Sequence, residues 1–205
     1  MMHLILADSE LELMPEEIKK GRILLDSSLH HSLMKGLKDW KRRGRPDIVH
    51  IFLLIAQESI LNKEGLLRTY VHTRNNEIIY VNPEMRIIKN YNRFKGLMQQ
   101  LLIHGKVPLK GGSLMKMKKE RLDELLNKIK AKKIVFSRKG KRKALQDVFE
   151  ENIACIIGGF SSGNFISSVE KYADEIIRLH EEMLPAWIVA MEAIVAYENF
   201  MKLHL

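Results

Sequence analysis

Three cations in the middle of the chain, Arg86, Lys89 and Arg93, recur at intervals of three and four. That spacing sets them along one side of a helix. Phe94, Leu97, Met98, Leu101 and Leu102 follow as an apolar stripe at helical spacing, which would anchor the segment to a core. A cationic edge held by a buried face suits a run of phosphates better than a small neutral ligand. Upstream, Arg45-Pro46-Asp47 sets a guanidinium and a carboxylate two residues apart, across a proline whose φ is fixed. Asp47 can pair with Arg45 and hold it in one orientation. It can equally open a helix and complement its dipole, and the two roles are compatible.

A second group lies nearer the C-terminus. Gly158, Gly159 and Gly163 follow an apolar run in IIGGFSSGNF, and Ser161, Ser162 and Asn164 offer hydrogen bonds beside them. The spacing is not that of a dinucleotide-binding fingerprint. Taken alone, a glycine turn after a strand is more often structural than ligand-binding. His30, His31, His50 and His72 lack accompanying cysteines or carboxylates at ligand spacing, so no metal site is expected. Neither a nucleophile elbow, a phosphate loop nor a glycosidase-like carboxylate pair can be placed.

Three stretches carry a resemblance to a known family: RPDIVHIFLL, LNKEGLLRTYVHTRNNEIIYVNPEMRIIKNYNRFKGLM and IIGGFSSGNF with a closing apolar helix. They resemble the nucleolar essential protein family, pseudouridine-N1 methyltransferases of small-subunit ribosomal RNA in the SPOUT class, over most of residues 40–200. The resemblance implies an α/β fold of SPOUT type: a parallel sheet with helices on both faces, a C-terminal trefoil knot, and a family-specific β-hairpin and helix insertion. It implies S-adenosylmethionine as cofactor, a small-subunit ribosomal RNA hairpin as substrate, and a homodimer. The implied cofactor pocket takes Phe136 and Ser137 at a strand end, Gly158 and Gly163, and the run Leu179, His180, Glu181, Glu182, Met183 and Leu184. At the third loop this chain has Leu184-Pro185-Ala186-Trp187 where relatives carry a Pro-Leu-Ser-type run. The implied RNA contacts are Arg45, Arg86, Lys89 and Arg93, with Asp47 steadying Arg45. Relatives often carry arginine at position 89; lysine keeps the charge and loses the bidentate fork, which directs it to phosphate. Methyl transfer to a ring nitrogen also needs a base, for which Asp47 and an ordered water are the alternatives. A non-catalytic assembly factor of the small subunit, using the same cations without a cofactor, is the competing reading. So is a methyltransferase acting on another RNA nucleotide.

Composition agrees with a polyanionic partner. The chain of 205 residues carries a net charge of +9 and a pI near 9.6, which favours nucleic acid or an anionic surface. Residues 110–143 hold fourteen Lys or Arg against Glu120, Asp123 and Glu124, so this basic segment contains the surplus. It reads as a solvated, partly disordered insertion, which would still speed encounter with RNA. The length fits one SPOUT-like domain over residues 1–205. Cys155, the single cysteine, sits in an apolar run and reads as core. The acidic start lacks a secretion signal's basic flank and the longest apolar run is too short for a bilayer, so a cytoplasmic protein without membrane contact is expected.

The elements that must position these groups follow from periodicity. Residues 2–7 read as a strand, followed by a short helix opened by Pro15. Residues 28–41 read as a helix with Leu29, Leu33, Leu37 and Trp40 on one side, and Pro46 opens another. Residues 67–73 and 78–81 alternate around Arg74-Asn75-Asn76, a hairpin signal. Residues 133–137 and 153–157 read as buried parallel strands; residues 175–179 fit a strand or a helical turn. Residues 185–202 form a helix apolar nearly all round, which calls for burial on every side and hence a subunit interface. Helices alternating with short buried strands make an α/β fold.

Overall fold

In the computed structural model, residues 1–18 and 21–203 are described, and their strands join in one eight-stranded sheet. In chain order the elements are β1 (Met2–Ser9), α1 (Ser27–Met34), α2 (Pro46–Glu58), α3 (Ile60–Lys63), β2 (Leu67–Thr73), β3 (Glu77–Val81), α4 (Tyr91–His104), β4 (Lys106–Val107), β5 (Met115–Lys119), α5 (Leu122–Lys128), β6 (Lys132–Arg142), β7 (Ile153–Gly158), β8 (Glu175–Arg178) and α6 (Ala186–Phe200). The spatial order is β4-β5-β3-β2-β1-β7-β6-β8. From β2 to β8 the strands are parallel; β3, β5 and β4 extend the sheet antiparallel from the β2 edge.

Side chains alternate across the parallel strands. Leu4 and Leu6 of β1, with Cys155 and Ile157 of β7, pack under α2, α4 and α6. Ile5, Ala7, Ala154 and Ile156 face the opposite layer, beneath α5. Helices therefore cover both faces, and the central strands are near-continuous apolar runs because neither face meets water. The core reading of Cys155 holds: its thiol is fully buried.

Local signals set the helix ends. Pro46 occupies the first turn of α2, where a missing N–H costs nothing, with Asp47 beside it. Asn90 caps α4 by accepting from the Arg93 N–H at 3.0 Å, and Gly105 closes that helix in the left-handed conformation. Phe94, Met98 and Leu101 of α4 are fully buried, about 1.5–3 kcal/mol apiece against leaving them exposed.

Several expectations are corrected. Arg86 and Lys89 do not lie on a helix: α4 begins at Tyr91, and buried Met85 and Ile87 alternate with exposed Arg86, the period of extended chain. The helix expected at Pro15 is absent where the chain is described. Residues 16–18 form a turn and Leu13 bridges Leu24, while residues 19–20 lie outside the described set. The helix expected over residues 28–41 ends at Met34, and a 3-10 turn follows at Trp40–Arg42 after Asp39 takes a φ of 55°. Leu29 and Leu33 point to solvent, 66% and 48% exposed, instead of lining a core. The basic segment is no loose insertion: it supplies β5, α5 and β6. In β5 Met115 faces the core while Lys116 and Lys118 stay in water, so its charge run is one face of a strand. Residues 175–178 form strand β8. On α6, Val189, Ala190, Ala193, Ile194 and Tyr197 are buried while Met191 and Val195 remain 40% and 44% exposed, so one chain does not bury this helix on all sides. Among the described residues no helix is long and apolar enough to cross a membrane.

Candidate functional site

Parallel strands aim their carboxyl ends the same way, and the loops leaving those ends enclose a crevice. Here the loops after β6, β7 and β8 wall a cleft of about 840 Å³. The first loop is an excursion within β6: Phe136 and Lys141 both pair with Ile177 of β8, so residues 137–140 bulge from the ladder. The second follows β7 at Gly158 and the third runs from β8 to α6. All ten residues expected in the cofactor pocket line this cleft: Phe136, Ser137, Gly158, Gly163, and Leu179, His180, Glu181, Glu182, Met183 and Leu184. Leu179 and Leu184 also pack on the core, and Glu181 is tied to Arg178 at 2.9 Å.

The glycines serve the loop's own packing. A Cβ on Gly158 would stand 2.6 Å from the Phe160 ring, and one on Gly159 would stand 2.5 Å from Ser9 Oγ. Gly163 takes a φ of +85°, open to glycine at no steric cost, with Arg42 beside it. The Phe160 ring then carries the Arg42 guanidinium at 4.5 Å and meets Phe165 edge-on at 5.3 Å. Glu10, buried at the end of β1, anchors the same loop: its N–H donates to Gly159 O at 3.2 Å and its carboxylate accepts from Ser161 Oγ at 3.3 Å. Burial pushes the Glu10 carboxyl up, against the opposing pull of Ser161 and Arg42.

Arg45 also lines the cleft. Its backbone N–H donates to Glu10 O at 2.8 Å. Its guanidinium grips Asp47 through Nε–Oδ1 at 2.9 Å and Nη2–Oδ2 at 2.7 Å, the fork geometry of a bidentate pair. The Asp47 carboxylate holds the guanidinium pKa above its ordinary value, more strongly than burial lowers it. The pair is real, and Asp47 also stands in the first turn of α2, so both readings of that motif hold together. Both Asp47 oxygens are engaged by Arg45, and Asp47 is not among the lining residues.

Arg86, Lys89 and Arg93 are exposed and lie outside the cleft walls. Tyr91, between them in sequence, is held in its neutral form by burial first, and then by the charges of Asp26 and Asp47, while Arg45 acts oppositely. His50 of α2 bonds Ile88 O at 2.8 Å and stacks on Phe94 at 4.3 Å, which ties α2 to the 86–93 ledge. The histidine is thus a structural link. Arg45 lines the cleft at the start of α2, and His50 of the same helix ties it to the segment that carries the three cations.

Sequence reasoning passed over Arg138 and Lys139, which line the cleft from the β6 excursion, and the buried acids Asp8 and Glu10. For the acids a signal existed: charged residues directly following the apolar run of a central strand have no water to face and must have partners. For the cations there was none, because a lysine-rich run looks alike on a bulge and on a solvated strand.

The cleft falls within the size of small-molecule sites. Its mixture of strand-end apolar side chains with loop backbone and hydroxyls fits a nucleoside bearing a charged tail.

Comparison with known proteins agrees with this geometry. The family model described as "EMG1/NEP1 methyltransferase" matches residues 4–198. The chain is 45% identical to the ribosomal RNA small subunit methyltransferase Nep1 of Methanothrix thermoacetophila, covering 97% of this chain and 96% of that protein. It is 44% identical to the protein of the same name from Pyrococcus furiosus, covering 96% of each. Among solved structures, Archaeoglobus fulgidus Nep1 bound to S-adenosylhomocysteine superposes with a TM-score of 0.88 at 30% identity, covering 98% of this chain and 99% of that one.

Proposed function

This chain belongs to the EMG1/NEP1 methyltransferase family, and from that premise we propose that it methylates N1 of a pseudouridine in a hairpin loop of small-subunit ribosomal RNA. It is an S-adenosylmethionine-dependent ribosomal RNA methyltransferase. The observation that carries the finer reading is that α2, whose first residues stand at the cleft, is tied through His50 to the segment of Arg86, Lys89 and Arg93. Arg45 lines the cleft, and its charge reaches Tyr91, which stands between Lys89 and Arg93 in sequence.

When bound, S-adenosylmethionine supplies a methyl group activated on a sulfonium, so the protein's task is positioning and charge. The strand ends at Phe136 and Leu179 and the loop backbone at Gly158 and Gly163 hold the cofactor. Arg86, Lys89 and Arg93 bind phosphates of the hairpin, where an unpaired base leaves its stack at small cost. Arg45, fixed by Asp47, faces the nucleotide at the cleft mouth. With Arg138 and Lys139 it favours the ring nitrogen in its deprotonated form. Because Asp47 spends both oxygens on Arg45, its role is to orient that arginine, and the proton leaves to water.

The same reading takes the C-terminal loops as a trefoil knot, the β3–β5 extension with α4 as the family's insertion, and residues 1–205 as one catalytic domain acting in the cytoplasm. It also makes the protein a homodimer; exposed Met191 and Val195 on α6 support that. Mass spectrometry of a synthetic hairpin tests specificity: methyl is expected on pseudouridine and not on uridine at the same position, and equal methylation of both sinks the assignment. The separation of the ledge from the cleft walls also favours an RNA-binding role in subunit assembly, which can coexist with catalysis. Calorimetry showing no S-adenosylhomocysteine binding at millimolar concentration would leave that role alone.

A further inference from the structure

Three buried acids stand at the end of β1 and just after it, Asp8, Glu10 and Glu12, and the last two face arginines. Glu12 is forked by Arg43 at 2.9 and 2.5 Å, and Glu10 lies 3.7 Å from Arg42. Asp8, 1% exposed, is different, because its carboxylate is given over to the cleft loop. Oδ2 accepts from Ile166 N at 2.6 Å and from Ser167 N at 2.9 Å, and Oδ1 accepts from Ser167 Oγ at 2.6 Å. Ile166, Ser167 and Ser168 form part of the cleft wall.

Two further observations show that the fold is arranged around this contact. Asp8 takes a φ of 54°, a conformation that side chains other than glycine rarely adopt. The same stretch is where the β1–β2 register shifts, between Leu6 and Ser9. The chain accepts an irregular backbone at the end of its central strand, and there the carboxylate meets the loop. Behind Asp8 lies His72 of β2, also 1% exposed, with Nδ1 at 3.2 Å from the Asp8 N–H and 3.4 Å from Oδ1. The other ring nitrogen lies 3.4 Å from Asn76 Oδ1 in the β2–β3 turn.

We infer that Asp8 is a positioning residue for cofactor binding, its carboxylate setting the 166–168 wall of the cleft, with His72 as its support on the neighbouring strand. The inference rests on the methyltransferase reading of the cleft. Two consecutive amide N–H groups converging on one oxygen need an acceptor at that point, and a carboxylate supplies it with charge assistance. Without it both N–H groups lose their partner and the wall is free to move, although Asp8 itself touches neither cofactor nor RNA.

The test uses Asp8→Ala, Asp8→Asn and Ser167→Ala in the full chain, with S-adenosylhomocysteine as probe. Asparagine retains one acceptor oxygen without the charge, so it serves as the conservative rescue. The expected result is at least tenfold weaker binding for Asp8→Ala, an intermediate loss for Asp8→Asn, and a severalfold loss for Ser167→Ala. RNA hairpin affinity should stay within about twofold of wild type. Hydrogen exchange on the ligand-free protein should show the Ile166 and Ser167 amides protected in wild type and released in Asp8→Ala, a readout independent of bound cofactor. A folded Asp8→Ala that binds S-adenosylhomocysteine like wild type overturns the inference. If that variant does not fold, wild-type affinity and protection in both Asp8→Asn and Ser167→Ala overturn it instead. Wild-type protein that binds no S-adenosylhomocysteine refutes the methyltransferase reading, and this inference with it; wild-type binding with unperturbed variants refutes the inference alone.

Discussion

Gly158 and Gly159 are adjacent, yet adding one methyl group to each should damage different properties. A Cβ on Gly159 would stand 2.5 Å from Ser9 Oγ, 2.8 Å from Leu6 Cγ and 3.0 Å from Ser9 Cα. Leu6 and Ser9 are fully buried on the central strand, so backbone must shift to make room. Overpacking of this kind costs about 1–3 kcal/mol. At this chain length each kcal/mol lowers Tm by about 2–4 °C, so Gly159→Ala should melt about 2–12 °C below wild type. A Cβ on Gly158 would instead stand 2.6 Å from the Phe160 Cε1 and Cζ, the outer edge of a half-buried ring that can swing away. Its movement gives up at most the Arg42 contact and the Phe165 edge contact, about 1–2.5 kcal/mol together, so Tm should fall by about 2–10 °C and the distinguishing loss is in binding. Phe160 lines the cleft, however, and its displacement reshapes the pocket. Gly158→Ala is therefore expected to weaken S-adenosylhomocysteine binding about tenfold, a change of about 1.4 kcal/mol. Differential scanning calorimetry and isothermal titration read the two properties separately. If Gly158→Ala melted as low as Gly159→Ala while binding the cofactor product normally, the assignment of these glycines would be wrong.

Other perturbations should separate along the same line. Arg86→Ala and Arg93→Ala are each expected to weaken hairpin binding by about 1–3 kcal/mol in a filter-binding assay, with S-adenosylhomocysteine affinity unchanged. A parallel loss of cofactor affinity would put these residues in the wrong site. Burial alone would raise the Asp8 carboxyl, but the His72 ring and the hydroxyl and N–H of Ser167 outweigh it and hold it below the ordinary 3.8. The folded chain then binds fewer protons than the unfolded one, so this stabilisation is complete above the unfolded value and is lost as pH falls through the folded one. Urea titrations should show Asp8→Asn flattening the acid limb below about pH 4; a limb as steep as wild type would contradict this. Burial pushes the Cys155 thiol well above its ordinary range, so a maleimide should label it only on unfolding, and rapid labelling of the native protein would show the core to be open.

Some of this protein was written in local sequence. Apolar runs without alternation at 153–157 declared strands covered on both faces, and Pro46 marked a helix start, because capping and strand burial act within a few residues. The bidentate pair of Arg45 and Asp47 was legible for the same reason: the partners are two positions apart and the proline restricts the turn between them. Family-specific stretches pointed to the loops that wall the cleft before any geometry did. What sequence alone misplaced was the 86–90 segment. Spacings of three and four suit a helix, but the burial of Met85 and Ile87 around Arg86 imposes an extended path there. The lysine-rich segment likewise looked solvated, since charge counts do not report which face of a strand meets a core. The tie of α2 to the 86–93 segment through His50, and the grip of Asp8 on residues 166–167, belong to tertiary structure. The latter joins positions 158 and 159 residues apart, and only the parallel pairing of β1 with β7 brings them within hydrogen-bond reach.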